Sequence, residues 1–260
     1  MTALSDGLEL RVDSNVAHIV LTRAAKRNAL TPQMVEALAT ACETIERDRD
    51  VRVAILSSAD PRAFCVGADI GAWSALEPLD MWRSWTRLGH QAFDRLARLR
   101  QPLIAVVAGH ALGGGTELAA CADLRVAEPS AIFALPETGI GTVPGWSGTQ
   151  RLTRRIGAQA VRRMALAGER LSASEAHAAG LVDRLAAEGQ GMMIAQEIAN
   201  TIAGCAPVAT QLVKQLINAA EGEDVAPMEQ IAGALAASTE DGREGVASFR
   251  EKRAPNFEGR

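Results

Sequence analysis

The sequence predicts an α/β fold that ends in a helical region, and three observations predict it. Short β-branched runs alternate with stretches of helical period through the first two-thirds of the chain. Near Met192 the character changes to alanine-rich helix, with little strand propensity beyond. No exact internal repeat interrupts this order. Alternation alone would also allow a doubly wound parallel sheet.

Residues 16–22 read as the first well-marked strand. Thr31 then offers an N-cap with Pro32 at the first helical position, where a missing N–H costs nothing. Val35, Leu38, Ala39, Cys42 and Ile45 keep a helical period up to the charged stop at residues 46–50. Residues 51–56 and 103–107 follow as strands, and 124–127 and 181–185 as shorter ones. Three helices, 192–203, 207–220 and 227–237, fill the C-terminal region.

At 260 residues the chain buries ample core. Its 48% hydrophobic and 22% charged residues are those of a soluble globular protein. No apolar run approaches the roughly 18–20 residues of a membrane helix. The first seven residues carry neither a basic nor an apolar stretch, so the expectation is no membrane, no export and a cytoplasmic location. Cys42, Cys65, Cys121 and Cys205 are scattered, which predicts buried free thiols. His18, His90, His110 and His177 share no ligand spacing, so no metal site is expected. A net charge of −4 opposes general affinity for nucleic acid. Local basic clusters do occur, at Arg23, Lys26 and Arg27, at 151–163, and at Arg250, Lys252 and Arg253; each also fits a solvated face. With no tyrosine in the chain, a phenolic proton donor is excluded.

Chemistry concentrates in two glutamates. Glu117 closes the run Gly113-Gly114-Gly115-Thr116-Glu117 after the 103–107 strand. Three glycines let the backbone pass close to a ligand and leave amides free to point at it. Residues 116–122 read as the opening of a helix. Glu137 follows Pro136 and opens a second glycine- and proline-rich segment. Each segment alone fits a loop with a solvated carboxylate. The third, Phe64-Cys65-Val66-Gly67-Ala68-Asp69-Ile70, adds another tight glycine turn. Two such turns can each lend one N–H to a developing oxyanion, beside a carboxylate that moves protons.

Taken in chain order, 64–70, then the Glu117 run, then the Glu137 segment with its continuation Gly141-Thr142-Val143-Pro144-Gly145-Trp146-Ser147-Gly148-Thr149-Gln150-Arg151-Leu152, these segments resemble the crotonase superfamily. Within it the sequence is most similar to the enoyl-CoA hydratases, essentially end to end. The resemblance implies a crotonase-like spiral of ββα units over 1–191, holding the coenzyme A and active sites. It implies a helical oligomerisation region over 192–260, forming a trimer or a dimer of trimers.

The resemblance also implies the site. Backbone N–H groups of Ala68 and Gly114 would form the oxyanion hole. Glu117 would activate water, and Glu137 would deliver a proton to Cα of the substrate. Lys26, Arg27, Asp69, Ile70 and Gly145, together with Ala68 and Gly114, would contact an acyl-CoA thioester; Lys26 and Arg27 would lie near its phosphates, with further residues from the C-terminal region. No separate cofactor is implied, since coenzyme A is part of the substrate. The implied reaction is addition of water to a 2-enoyl-CoA in fatty-acid β-oxidation. The alternatives are a Δ3,Δ2-enoyl-CoA isomerase or another crotonase-type acyl-CoA enzyme. Further off stands a non-catalytic scaffold or RNA-associated protein.

On residue type alone, Asp69 suits a turn organiser better than a chemical role. His110 has no nucleophile spaced with it and reads as structural. Ser147 lacks the Gly-x-Ser-x-Gly frame of a nucleophile elbow. The resemblance leads one to expect a small residue where this chain has Trp146, which either fills space near the acyl pocket or packs into the core. Residues 73–85 hold three of the four tryptophans and are expected to wall the acyl site.

Overall fold

The structure, a computed structural model, describes residues 2–221 and 226–260. Residues 222–225, within the expected 192–260 region, lie outside the described residues. In chain order the strands are β1 (Thr2–Ser5), β2 (Leu8–Asp13), β3 (Val16–Leu21), β4 (Val53–Ser58), β5 (Ala63–Cys65) and β6 (Leu103–Val107). They continue as β7 (His110–Leu112), β8 (Leu124–Ala127), β9 (Ile132–Ala134), β10 (Leu171–Ser172) and β11 (Arg184–Leu185).

Two sheets result. The larger runs β1-β2-β3-β4-β6-β8-β11, antiparallel as far as β3 and parallel beyond it. The smaller runs β10-β9-β7-β5, parallel except for its β10 edge. In each of the pairs β4/β5, β6/β7 and β8/β9 the first strand joins the large sheet and the second joins the small one. A helix follows each pair: Arg87–Ala97, Gly114–Ala120 and Gly148–Leu166, the last broken by a kink at Gly157, whose φ 78° and ψ 153° are not helical. The chain therefore advances one strand in both sheets per ββα turn, which is the expected spiral and not a doubly wound sheet.

Strand alternation divides the core between the two faces of the large sheet. Ala54, Leu56, Leu103 and Ala105 face inward with the helix Pro32–Arg47 and the glycine-turn segments. Val53, Ile55, Ile104 and Val106 face outward and are covered by Ala195, Ala199 and Ala203. The outer helix, Gly191–Ala203, buries its alanines against the sheet and packs Ile194, Ile198 and Ile202 around their edge. Its first turn is fixed by the buried Glu128, whose carboxylate accepts the Gly189 and Gly191 amides at 2.9 and 2.8 Å.

Several boundaries differ from expectation for visible reasons. The strand expected at 51–56 is Val53–Ser58, because Arg52 and Val53 both donate to the Asn15 carbonyl and Ser57 and Ser58 extend the ladder to β3. Of 181–185 only Arg184–Leu185 pairs, since the amides of Leu181 and Val182 turn back to the Ala176 carbonyl. Pro207–Ala220 forms as expected, whereas the helix Glu240–Glu251 has no counterpart in the sequence reading. Cys42, Cys65 and Cys121 are buried free thiols; Cys205, in the turn after Ala203, is instead exposed. No helix among the described residues is long and apolar enough to cross a membrane.

Candidate active site

The first glycine turn sits where the chain leaves β5. The Leu30 amide donates to the Gly67 carbonyl at 2.8 Å and the Asp69 amide to the Leu30 carbonyl at 2.9 Å, a parallel bridge centred on Ala68. That bridge uses the groups on either side of Ala68 and turns its own N–H away from Leu30. Gly67 has φ +96°, and a Cβ there would lie 2.9 Å from the Leu112 carbonyl oxygen and 3.2 Å from the Gly114 nitrogen. Only glycine lets the two turns come this close. Asp69 caps the short helix Ile70–Trp73 through the Gly71 amide and pairs with Arg23 at 2.6 Å. The Arg23 guanidinium holds the Asp69 carboxyl below its ordinary pKa. Arg23 thus braces the turn, and of the first basic cluster Lys26 and Arg27 remain exposed, in the loop whose Arg27 carbonyl accepts the Val66 amide.

The second turn opens the helix Gly114–Ala120, which starts two residues earlier than expected, so that Gly114 supplies a first-turn amide. Its N-cap, Gly113, takes φ 54° and ψ −122°, a conformation for glycine alone. Among the described residues, the Ala68 and Gly114 amides donate to no backbone acceptor.

The two glutamates meet because Thr116 ties their segments together. Its buried hydroxyl lies 2.7 and 2.8 Å from the carbonyl oxygens of Ala111 and Ala134, sharing one proton between strands β7 and β9. The Ala134 amide returns a bond to that hydroxyl at 3.2 Å, and the Gly113 amide donates to the Ala134 carbonyl at 2.9 Å. Three residues beyond Ala134, Glu137 opens a 3-10 turn beside Gly113. A Cβ on Gly113 would sit 2.8 Å from Glu137 Oε1. Thr116 is a functional residue that the motifs do not single out; its only signal in the sequence is a threonine inside a glycine run before a helix.

Both carboxyls are buried, in different surroundings. Glu117 Oε1 accepts the amides of Trp146 and Gly148 at 2.9 and 2.8 Å. Burial pushes its pKa up, and those amides pull the other way. Glu137 Oε2 is buried with no hydrogen-bond partner among the described residues. Burial raises the Glu137 pKa to about 7, with the nearby Glu117 charge adding to the rise. An acid kept near neutrality beside a hydrogen-bonded carboxylate is a common division of acid and base roles.

A cavity of about 270 Å³ joins these groups, lined by Ala68, Gly114, Glu117, Glu137, Ile70, Gly145, Trp73, Met81, Trp85 and Trp146 among others. Of the 73–85 segment, Trp73, Met81 and Trp85 wall this cavity, whereas Trp82 is exposed and does not line it. Trp146 does both things foreseen for it: it lines the cavity and is only 2% exposed within the core.

In the C-terminal basic cluster, Arg253 pairs with Glu244 and Glu251 at the surface. Ser147, set aside as lacking a nucleophile frame, does have a histidine beside it: its Oγ lies 2.9 and 3.1 Å from the two ring nitrogens of His90. The arrangement is not a catalytic triad. One hydroxyl faces both nitrogens, and Asp94 approaches the same Nε2, at 3.7 Å, leaving no separate relay partner. Among the described residues no group of three or more His, Cys, Asp or Glu side chains could hold a metal.

Known proteins share this fold. The family described as enoyl-CoA hydratase/isomerase matches residues 11–260. A short-chain-enoyl-CoA hydratase of Clostridium acetobutylicum is 36% identical over 94% of each chain. The crystal structure of an enoyl-CoA hydratase from Bacillus anthracis superposes with a TM-score of 0.93 at 34% identity, covering 98% of this chain and all of that one. DspI of Pseudomonas aeruginosa superposes with a TM-score of 0.94 at 30% identity, covering 99% and 98%.

Proposed function

The chain belongs to the enoyl-CoA hydratase/isomerase family, and we propose that it adds water across the double bond of a 2-enoyl-CoA to give a 3-hydroxyacyl-CoA. The observation that carries the reading is the pairing, around one cavity, of two buried carboxyls with two backbone amides that have no backbone acceptor.

The thioester oxygen sits between the Ala68 and Gly114 N–H groups. As water attacks Cβ, negative charge moves onto that oxygen, and each donor aimed at it is worth about 3–4 kcal/mol in the transition state. Glu117, held through Oε1, takes a proton from water while the hydroxyl bonds to Cβ. Glu137 gives its proton to Cα. One C–O and one C–H bond form, the C=C π bond is lost, and exchange with solvent resets both carboxyls. The raised Glu137 pKa supplies a proton donor near neutral pH. Lys26 and Arg27 face the coenzyme A phosphates, Ile70 and Gly145 border the acyl and pantetheine path, and Asp69 holds its turn for Ala68. No cofactor beyond the substrate's own coenzyme A enters these steps.

Moving a double bond along an acyl chain needs a single carboxylate to carry a proton between carbons. Two carboxyls on one cavity favour hydration over the isomerase alternative. Crotonyl-CoA incubated with the protein is expected to lose its conjugated absorbance, while a 3-enoyl-CoA is not converted to the 2-enoyl isomer at a comparable rate. The reverse pattern would make the isomerase the better reading.

The same reading includes a trimer or dimer of trimers in the cytoplasm, acting in β-oxidation. Val213 and Ile217 on Pro207–Ala220, and Val246 and Phe249 on Glu240–Glu251, are exposed apolar side chains suited to such contacts. Light scattering reporting a monomer at micromolar concentration would contradict this part alone.

A further inference from the structure

The cavity has a mouth and a floor, and relative exposure tells them apart. Ile70, Ile140 and Val143 at its edge are 54%, 54% and 71% exposed; Trp85 and Trp146 at its other end are 7% and 2% exposed. Coenzyme A must stay at the mouth, so the acyl group points to the floor.

The floor cannot give. Gly89 provides the space that the Trp146 indole fills, since a Cβ there would lie 2.0 Å from Nε1. On the other side a Cβ on Gly114 would lie 3.0 Å from Cζ3 of the same ring. Trp85 and Phe93 brace the indole with ring centroids at 5.1 and 5.0 Å, tilted by 56° and 60°. Phe93 is itself fully buried in the main core, so the indole is backed by packed side chains on that side. The indole also stands on the backbone that seats Glu117, through the Trp146 amide. A tail that pushed it aside would move the base and crowd Gly114 together.

From this geometry we propose that Trp146 is the specificity-determining residue that closes the acyl pocket and restricts the enzyme to 2-enoyl-CoA thioesters with short, compact acyl groups. The proposal rests on the hydratase reading for its reaction and on the cavity alone for its size limit. A chain that reaches the indole meets a fixed aromatic surface, and each methylene that cannot be housed lowers kcat/KM by roughly 10–200-fold.

The test measures kcat/KM for 2-butenoyl-, 2-hexenoyl-, 2-octenoyl- and 2-decenoyl-CoA. The wild type should lose at least about tenfold between the first and the last. Trp146→Ala should raise the decenoyl-to-butenoyl ratio by at least about tenfold, and Trp146→Phe should raise it less, in the same direction. Trp146→Phe keeps an aromatic in the core and decides the matter if the alanine variant does not fold. Equal wild-type activity on all four thioesters, or a ratio unmoved in the folded variants, overturns the proposal. If no thioester is hydrated, the reaction is wrong and the wall is still tested by calorimetry with saturated acyl-CoAs. Tighter binding of butyryl- than decanoyl-CoA, with the difference lost on shortening Trp146, upholds it; equal binding refutes it.

Discussion

The amide of Gly148 donates to Glu117 Oε1 at 2.8 Å, and a Cβ on Gly148 would lie 2.2 Å from Glu117 Cγ. One glycine thus supplies a hydrogen bond to the carboxylate and the room for it to stand. Gly148→Ala should shift Glu117 while leaving the helix Gly148–Leu166 formed. We expect kcat for hydration to fall about 100-fold, the usual cost of misplacing a reacting group by about 1 Å. Steady-state kinetics beside a thermal melt checks this; a variant that keeps full kcat would mean the Glu117 seat does not matter.

Ser147, between the two amides that hold Glu117, has φ 69°, where a non-glycine residue is strained. Its Oγ offsets the strain through His90 and lies 3.4 Å from Asp94 Oδ1. Ser147→Ala loses these bonds and keeps the strain, so it should destabilise by about 1 kcal/mol. Ser147→Gly loses the bonds and the strain together and should be nearly neutral. Urea denaturation of the two variants separates the terms; equal losses in both would show that the left-handed backbone carries no cost here.

The Glu137 pKa, raised by burial to about 7, predicts how activity follows pH. Below that value the carboxyl is protonated and can give its proton to Cα; above it the proton is gone. Hydration kcat/KM should therefore decline as pH rises through about 7, and this limb should disappear in whatever activity Glu137→Gln retains. Folding has the same sign. A carboxyl raised in the folded state contributes stability that is fully present below its unfolded pKa and is lost as pH rises through the folded one. A flat profile between pH 6 and pH 8 would contradict the assignment of Glu137 as the acid.

Much of this site was legible in the sequence because its backbone demands are written in residue types that admit few alternatives. Gly67 at φ +96° and Gly113 at φ +54° stand where only glycine fits, and Thr31 with Pro32 marks a helix start to the residue. The crotonase resemblance brought the segments around Glu117 and Glu137 together. What stayed hidden depended on contacts distant along the chain. Ser147 meets His90 across 57 residues, and Thr116 ties Ala111 to Ala134 across strands. Arg23 looked like part of a cationic cluster, yet it pairs with Asp69, 46 residues away. Residues 181–185 looked like one strand until the Ala176 carbonyl claimed two of their amides.

The central claim is that Glu117 and Glu137 act as one acid–base pair on one water and one double bond. The most direct measurement is crotonyl-CoA hydration by Glu117→Gln, Glu137→Gln and the double variant, with binding of a saturated acyl-CoA measured in parallel. Gln keeps an oxygen for the Trp146 and Gly148 amides but cannot exchange a proton, so binding should be nearly unchanged. Each single variant should lose about 10²–10⁴-fold in kcat. The double variant should lose far less than the product of the two, as for groups that act together. Full hydratase activity in both single variants would place the chemistry elsewhere and contradict the account.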